Sequence, residues 1–589
     1  VSNPQKNYLQ QIAAERKGGR ATEHSFRPAL KTLVEALGGK GITATNEPTR
    51  VACGAPDFIV ERRGVPIGHI ECKAIGANLD EAERDEQLLR YRAGLPNLIL
   101  TDYLRFRWFR NGEPCMEEVN LTRPERGDQQ LLRGSAASLR ALFDGFFAAE
   151  PPVVESPSEL AKHMAALAHL LRDGVLRLLS EKAGNGTSPQ RELLEAYRRV
   201  LMRGLSEEDF ADMYAQTVAY GLFAARRHEV FGRHFSRENA VFTSTTPFLN
   251  DMLLRLAGPN MDNRIAWIAD DLVALLGRAD MAAVLRHFGR GSEERDPVVH
   301  FYESFLAAYD PRLREMRGVY YTPESAVSYI VRSVDRLLRT KFGIADGLTD
   351  FSSLLEKKRE QPRVMILDPA AGTGTFLARV IQCTHDTIRE KGIGGMWPSY
   401  VQRSLLPRLF GFEFLMAPYV ICHLKLALKF AETGAKTDFG VGERGANGER
   451  LHVYLTNTLE SAADSANGNL FMAHELEREA KNANAVKSEK PVMVVLGNPP
   501  YSGHSANKSE WIEDLMRGND GGKCCANYFE VDGEPLGERN PKWLNDDYVK
   551  FIRFAQWRIE QTGEGIIGYL TNHALPDHPT FRGMRPNPL

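Results

Sequence analysis

Hydrophobic positions change their period twice along this chain. Through the first 149 residues, helix-spaced apolar residues alternate with strand-like runs such as "DFIV" (57–60), "GHIEC" (68–72) and "LILTDYLRFRWFRNG" (98–112). This pattern closes with "LRALFDGFFAAE" (139–150). The stretch "EPPVVESPS" (150–158) then places three prolines in nine residues, a composition that suits a semi-rigid linker. Beyond it Leu160, Met164, Leu167 and Leu171 recur at helical spacing, and the same period returns in "DDLVALLGRADMAAVLRHFG" (270–289). From about residue 298, apolar strand-like runs alternate with helical segments, as in a doubly wound parallel sheet. The expected organisation is therefore multidomain α/β: a mixed domain over 1–149, a linker and helical connector over 150–297, and a Rossmann-like sheet domain over 298–589.

Composition narrows the setting without choosing a function. A length of 589 residues suggests roughly three to five domains, so core size is not limiting. Lys and Arg total 74 against 76 Asp and Glu, a formal charge of −2, so any nucleic-acid contact must come from local clusters. The seven cysteines form no CxxC pair, which argues against a disulfide framework or a zinc site and for a reducing cytoplasm. Mean hydropathy is −0.34, and no apolar run approaches the roughly 20 residues needed to span a bilayer, so no membrane role is expected.

The second half carries a cofactor pattern. "RVMILDPAAGTGTFLARVIQ" (363–382) reads as a buried strand, an acidic residue, a small-residue turn and a helix. Gly372 and Gly374 remove side chains that would keep a ligand off the backbone, with Ala370 and Thr375 on either side of them. Asp368 at the strand end suits the ammonium of an amino-acid-like ligand, and no lysine follows to meet phosphates. S-adenosylmethionine therefore fits better than a nucleoside triphosphate. A second strand, "RLFGFEF", carries Glu413, an acceptor for two ribose hydroxyls by analogy with dinucleotide folds. Its distance from Asp368 exceeds the usual spacing, which points to a helical insertion around "EKGIGGMWPSY" (390–400). After a third strand, "LHVYLTNTLE" (451–460) offers Asn457 to an adenine edge, or simply as a turn residue.

A fourth apolar run ends in "VVLGNPPYSG" (494–503), where two prolines hold Asn498 and the Pro499 carbonyl in one arrangement. With the upstream pattern, Asn498, Pro499, Pro500 and Tyr501 resemble the catalytic motif of amino-methyltransferases, above all DNA adenine-N6 methyltransferases. "GVYYTPESAVSYIV" (318–331) resembles that family's N-terminal cofactor motif, which implies cofactor contacts from Tyr321, Thr322 and Pro323. The motif order matches the gamma class. The resemblance implies transfer of a methyl group from S-adenosylmethionine to adenine N6 in double-stranded DNA. Two acceptors aimed at the amine, Asn498 Oδ1 and the Pro499 carbonyl, free its lone pair for in-line attack, and Tyr501 offers a ring on which a flipped base stacks.

The first domain holds a different chemistry. In "GAPDFIVERRGVPIGHIECKA" (54–74), Asp57 precedes one strand of a hairpin and Glu71 and Lys73 end the other. Residues i and i+2 share a face, so Glu71 and Lys73 should point together toward Asp57. Two carboxylates, Asp57 and Glu71, suit Mg²⁺, and the lysine suits a water or a charged phosphate. This resembles the PD-(D/E)xK nuclease core, and Gln87 with Tyr91 at i and i+4 is similar to the QxxxY motif of many such nucleases. Arg105, Arg107 and Arg110, interleaved with aromatics, suit phosphate contacts or a solvated strand face equally.

No GxxxxGK[S/T] occurs in the sequence, so ATP-driven translocation is not expected. The whole arrangement resembles a helicase-less, Type IIG-like restriction-modification enzyme related to Type ISP, ending where a target recognition domain is expected to begin. The alternatives are an amino-methyltransferase acting on RNA or on protein glutamine, and a cofactor-binding fragment without turnover.

Overall fold

The structure is a computed structural model. It describes residues 3–17, 22–46, 55–63, 65–122, 131–149, 153–180, 188–227, 235–237, 247–286, 297–310, 322–351, 362–435, 450–461, 471–501, 509–537, 542–572, 575 and 578–584. The chain packs as two compact units: 1–182 with 225–241 and 255–287, and 183–224 with 242–254 and 288–589. Residues 150–297, expected to be a linker and helical connector, contribute to both units. Their helices are divided between the two units, because an amphipathic helix must bury its apolar face in a core that already exists. Pro157–Ser180 and Asn263–Arg278 join the first unit, and Pro189–Val200 joins the second.

The first unit is built on a seven-stranded mixed sheet. β1 (Ile42–Thr45), β2 (Phe58–Arg62), β3 (Val65–Cys72), β4 (Asn97–Thr101), β5 (Arg105–Arg110) and β6 (Glu113–Pro114) lie side by side in that order, and β7 (Val119–Asn120) also pairs with β5. Only β3 and β4 run parallel. The crossover between them carries the helix Glu86–Gly94, as a parallel connection requires. Helices Arg27–Gly38 and Ser135–Ala148 share the core of one sheet face, where Phe143 has no exposed surface and packs against Phe106, Phe146 and Phe147. Leu160, Met164, Leu167 and Leu171 are all buried along Pro157–Ser180, which packs against Asn263–Arg278.

The second unit holds a five-stranded, wholly parallel sheet. β8 (Met365–Asp368), β9 (Leu409–Glu413), β10 (His452–Leu455), β11 (Val492–Gly497) and β16 (Ile566–Tyr569) assemble in the order β10-β9-β8-β11-β16. The two short hairpins β12 (Arg517–Asp520)–β13 (Lys523–Asn527) and β14 (Glu530–Val531)–β15 (Glu534–Pro535) lie between β11 and β16 in the chain. Strand order reverses between β8 and β11, and in open α/β sheets ligands bind at the carboxyl ends of the strands at such a point. Helices cover both faces. Phe471–Ser488 and Asp547–Thr562 share a core with Met365, Leu367, Phe410 and Val495. Glu324–Thr340 and Thr375–Glu390 lie on the other face, close enough that a Cβ on Gly568 or Gly411 would touch Ile330 or Leu377. Between β8 and β9, short helical turns over 394–408 supply the expected insertion. Among the described residues no helix is long and apolar enough to cross a membrane.

Removing the Phe143 ring leaves a cavity among three other phenylalanines, a loss of about 3–5 kcal/mol. Phe143→Ala is therefore expected to speed amide hydrogen exchange across β3–β5 and leave β8–β11 at the wild-type rate. Equal acceleration in both sheets would contradict the two-unit packing.

Candidate active sites

In the second unit, the residues singled out from the sequence gather at the carboxyl edge of the parallel sheet. Asp368 ends β8 and Glu413 ends β9, and both side chains are buried. Asp368 Oδ1 accepts from the Ala370 N–H at 3.1 Å. The Glu413 carboxylate accepts three backbone N–H groups: Gly372 at 2.8 Å, Phe414 at 2.9 Å and Leu415 at 2.8 Å. Burial pushes the Asp368 carboxyl up to about 8, with the nearby Glu413 charge raising it further against the Ala370 hydrogen bond. Glu413 is likewise pushed up by burial, to about 7, despite its backbone donors. Without a cationic ligand, much of this charge is held as proton.

The turn after β8 is open to a ligand. Gly372 has φ +53°, and a Cβ there would meet nothing closer than the Ala370 carbonyl at 4.0 Å, so free space lies before the backbone. Gly497 is the opposite case: a Cβ would come within 2.6 Å of Asp368 Oδ1, so only glycine lets β11 end beside that carboxylate. Thr375 starts the following helix, and its hydroxyl accepts from Lys425 Nζ at 3.1 Å. A buried acid for an ammonium, a second acid for hydroxyls and a side-chain-free approach together fit S-adenosylmethionine.

Asn498 and Tyr501 follow directly. Asn498 Nδ2 donates to Thr322 Oγ1 at 3.1 Å, which turns Oδ1 the other way, where the Tyr501 hydroxyl lies 3.1 Å off. The same hydroxyl donates to the Leu570 carbonyl at 2.6 Å. Tyr501 is half-buried, with its ring centroid 5.6 Å from that of Tyr548. Thr322 and Pro323 thus lead into the helix Glu324–Thr340 beside the Asn-Pro-Pro-Tyr turn. Tyr321 lies outside the described residues. Asn457 follows β10, but its carboxamide is engaged from both ends: Nδ2 donates to the Leu201 carbonyl at 3.1 Å, and Oδ1 accepts from Leu459 N–H at 3.0 Å. Here the amide holds the loop together, the turn role weighed beside the adenine contact. Tyr569, at the end of β16, carries no sequence signal. Its buried hydroxyl lacks a hydrogen-bond partner among the described residues, and after burial itself the Asp368 charge raises the phenol.

In the first unit, the register pairs Phe58 with Ile70, so Asp57, one residue earlier, comes opposite Glu71. Asp57 and Glu71 are buried, and Lys73 Nζ donates to Glu71 Oε1 at 3.0 Å. Gln87 Nε2 donates to the Tyr91 hydroxyl at 2.6 Å, and burial followed by the Glu71 charge drives that phenol far above its usual range. Asp57, Glu71, Lys73, Gln87 and Tyr91 therefore converge. Arg27 joins them unannounced: it forms a buried ion pair with Asp57 Oδ1, while Asp57 Oδ2 accepts from the Cys72 N–H at 2.6 Å. No local pattern around Arg27 signals this pairing, because the two residues meet only once the helix and hairpin pack. Asp57 and Glu71 are an all-oxygen pair of the kind that suits Mg²⁺. Among the described residues no group of three or more His, Cys, Asp and Glu side chains is placed to hold a metal. Arg105 and Arg107 are neither free for phosphate nor merely solvated. Arg105 bonds Asp102 at 2.7 Å, and Arg107 bonds Glu83 at 2.5 Å, Glu118 at 2.6 Å and Asp80 at 2.7 Å.

No curated protein sequence is detectably similar to the chain. Among solved structures it is similar to the protein in a cryo-EM structure of a DrdV–DNA complex, at 22% identity and a TM-score of 0.47, over 99% of this chain and 51% of that one. It is also similar to the ATP-dependent Type ISP restriction-modification enzyme LlaBIII bound to DNA, at 19% identity and a TM-score of 0.52, over 79% of this chain and 27% of that one. A nuclease-deletion mutant of the Type ISP enzyme LlaGI, in complex with a DNA substrate mimic, matches at 18% identity and a TM-score of 0.49, over 78% and 33%. The chain thus spans about half or less of the length of these relatives, and the likeness to LlaBIII is one of fold. Residues 293–522, the stretch bearing Asp368, Glu413 and Asn498–Tyr501, match the family model described as N-6 DNA Methylase.

Proposed function

We propose that this protein is a restriction-modification enzyme that methylates adenine N6 in double-stranded DNA and cuts DNA with its first unit. In this reading residues 298–589 are a Rossmann-like, gamma-class methyltransferase and residues 1–149 a PD-(D/E)xK nuclease core, on a Type IIG-like plan. The observation that carries it is the placement of Asp368 and Asn498 at the ends of β8 and β11, on the two sides of the strand-order reversal. A cofactor between them meets the turn bearing the acceptors for the target amine. The match to DNA N6 methylases favours adenine in DNA over RNA or glutamine.

S-adenosylmethionine, when bound, supplies an activated methyl group. Asp368 holds the ligand's ammonium, and Glu413 accepts from its ribose hydroxyls. Asn498 Oδ1 and the Pro499 carbonyl accept the two N–H bonds of the flipped adenine amine, drawing the nitrogen toward tetrahedral geometry so that its lone pair points at the methyl carbon. Thr322 fixes which end of the Asn498 amide faces the substrate. The Tyr501 hydroxyl gives up Oδ1 to the incoming amine and keeps its bond to Leu570. The cofactor would supply the methyl group with a neutral thioether as leaving group. The nitrogen's extra proton passes to water, since neither acceptor is basic enough to keep it.

In the first unit, Asp57 and Glu71 would hold Mg²⁺, which supplies Lewis acidity toward a DNA phosphate. Lys73 places its ammonium beside Glu71, where it orients a water or offsets charge growing on the phosphate. Arg27 holds Asp57 in place through their ion pair.

Three tests follow the chemistry. Asp368 is raised in the free protein, and the ammonium it would hold favours its ionised form, so binding expels a proton and affinity rises with pH. Between pH 6 and 7.5, S-adenosylmethionine affinity should rise by up to about tenfold per unit, with calorimetric heats that depend on buffer ionisation. Asp368→Asn should flatten that slope, and a pH-independent wild type would remove Asp368 from the site. Asn498→Ala should lower kcat for tritiated methyl transfer to DNA by about 10²-fold or more, with cofactor affinity within about twofold. Thr322→Val should show a smaller loss, also in kcat. Methyl incorporation at the wild-type rate in Asn498→Ala would refute the mechanism, and digestion of the product to nucleosides reads out N6-methyladenine directly. In the intact gene product, Lys73→Ala and Asp57→Ala should abolish Mg²⁺-dependent, ATP-indifferent plasmid cleavage and leave methylation intact. Equal nicking by wild type and Lys73→Ala would reduce this site to a charged hairpin.

A further inference from the structure

The helix Pro189–Val200 lies outside the stretch that matches the methylase family, yet it packs within the second unit. Its end is tied to the sheet edge that carries the candidate cofactor residues. The N–H groups of Leu201 and Met202 both donate to the Tyr197 carbonyl, at 2.8 and 3.0 Å, which closes the last turn. The Leu201 carbonyl accepts from Asn457 Nδ2 at 3.1 Å. Asn457 follows β10, where Leu455 pairs with Glu413 and the Thr456 N–H donates to the Glu413 carbonyl at 2.8 Å. The helix end is therefore pinned beside the strand that presents the Glu413 carboxylate.

Tyr197 sits one turn back on this helix and is 2% exposed, with its ring edge-on to Phe210 at 6.2 Å. Its hydroxyl has no hydrogen-bond partner among the described residues. Buried hydroxyls are ordinarily paired, because an unpaired one forfeits its water without replacement. Glu413 lies within electrostatic reach: after burial itself, its charge is what raises the Tyr197 phenol. A donor without an acceptor thus lies near a carboxylate assigned to ribose hydroxyls.

We propose that Tyr197 is a cofactor-binding residue, delivering its hydroxyl from the helix Pro189–Val200 to the ribosyl-adenine portion of S-adenosylmethionine held by Glu413. The inference rests on the cofactor reading above. It makes the helical segment before the methylase domain one wall of the cofactor site. It also explains why Asn457 is spent on holding Leu201: the amide positions the helix that carries the ligand contact.

The test is Tyr197→Phe, which keeps the ring and its packing and removes only the hydroxyl. Affinities for S-adenosylmethionine, S-adenosylhomocysteine and methylthioadenosine are measured by calorimetry, beside the thermal midpoint of the ligand-free protein. All three ligands carry the ribosyl-adenine group, so all three should weaken by the same factor, about five- to tenfold. The ligand-free midpoint should stay or rise, since an unpaired buried hydroxyl is gone. Unchanged affinity for all three ligands overturns the proposal while leaving the cofactor site standing. A lowered midpoint accompanying the lost affinity assigns Tyr197 to the scaffold and overturns it as well. A wild-type chain that binds none of the three overturns the cofactor reading itself.

Discussion

Two carboxylates kept out of water at the ends of adjacent parallel strands shape the second unit. Asp368 and Glu413 are each too buried to ionise freely, and the surrounding chain is arranged around that cost. The turn after β8 folds back so that Gly372 can give its N–H to Glu413, and Phe414 and Leu415 turn theirs inward to the same group. β11 ends beside Asp368 only because residue 497 has no side chain. Once those approaches are made, the Asn-Pro-Pro-Tyr turn is delivered next to Asp368, and the prolines keep it there.

The first unit handles buried carboxylates in the opposite way. Asp57 and Glu71 are each given a cation, Arg27 and Lys73. A buried pair of this kind adds little net stability but is costly to break, since removing one partner strands the other. In Asp368 and Glu413, by contrast, burial disfavours the charge.

Much of both sites was legible because the chemistry is carried by short segments. A strand, an acid and a glycine turn are contiguous, so Asp368, Gly372 and Gly374 are visible as a group. The hairpin likewise announces Asp57 opposite Glu71, because antiparallel pairing follows from a short turn and period-2 alternation. Glu413 was readable as a strand-end acid, and its excess separation from Asp368 as a helical insertion. Arg27, Tyr197 and Tyr569 were not readable. Each sits in a segment whose local pattern is an ordinary amphipathic helix or strand, and each comes within electrostatic reach of its acid only through packing between elements distant in sequence. Asn457 could be read two ways, and its hydrogen bond to Leu201, 256 residues away, decides which role its amide takes here.

By itself, then, the sequence determined the elements, their α/β alternation and the residue types at each strand end. These depend on periodicity, on proline and glycine geometry and on side-chain chemistry, all of which act over a few neighbours. Tertiary structure alone decided that the helices of 150–297 are shared between two units, that Arg105 and Arg107 are consumed by carboxylates, and that Asp57 is held by Arg27. It also decided that strand order reverses between β8 and β11, which places Asp368 and Asn498 on the two sides of one crevice. Those outcomes depend on which apolar face finds which core and which buried charge finds a partner. Burial and pairing are properties of the assembled chain, and no local stretch of residues encodes them.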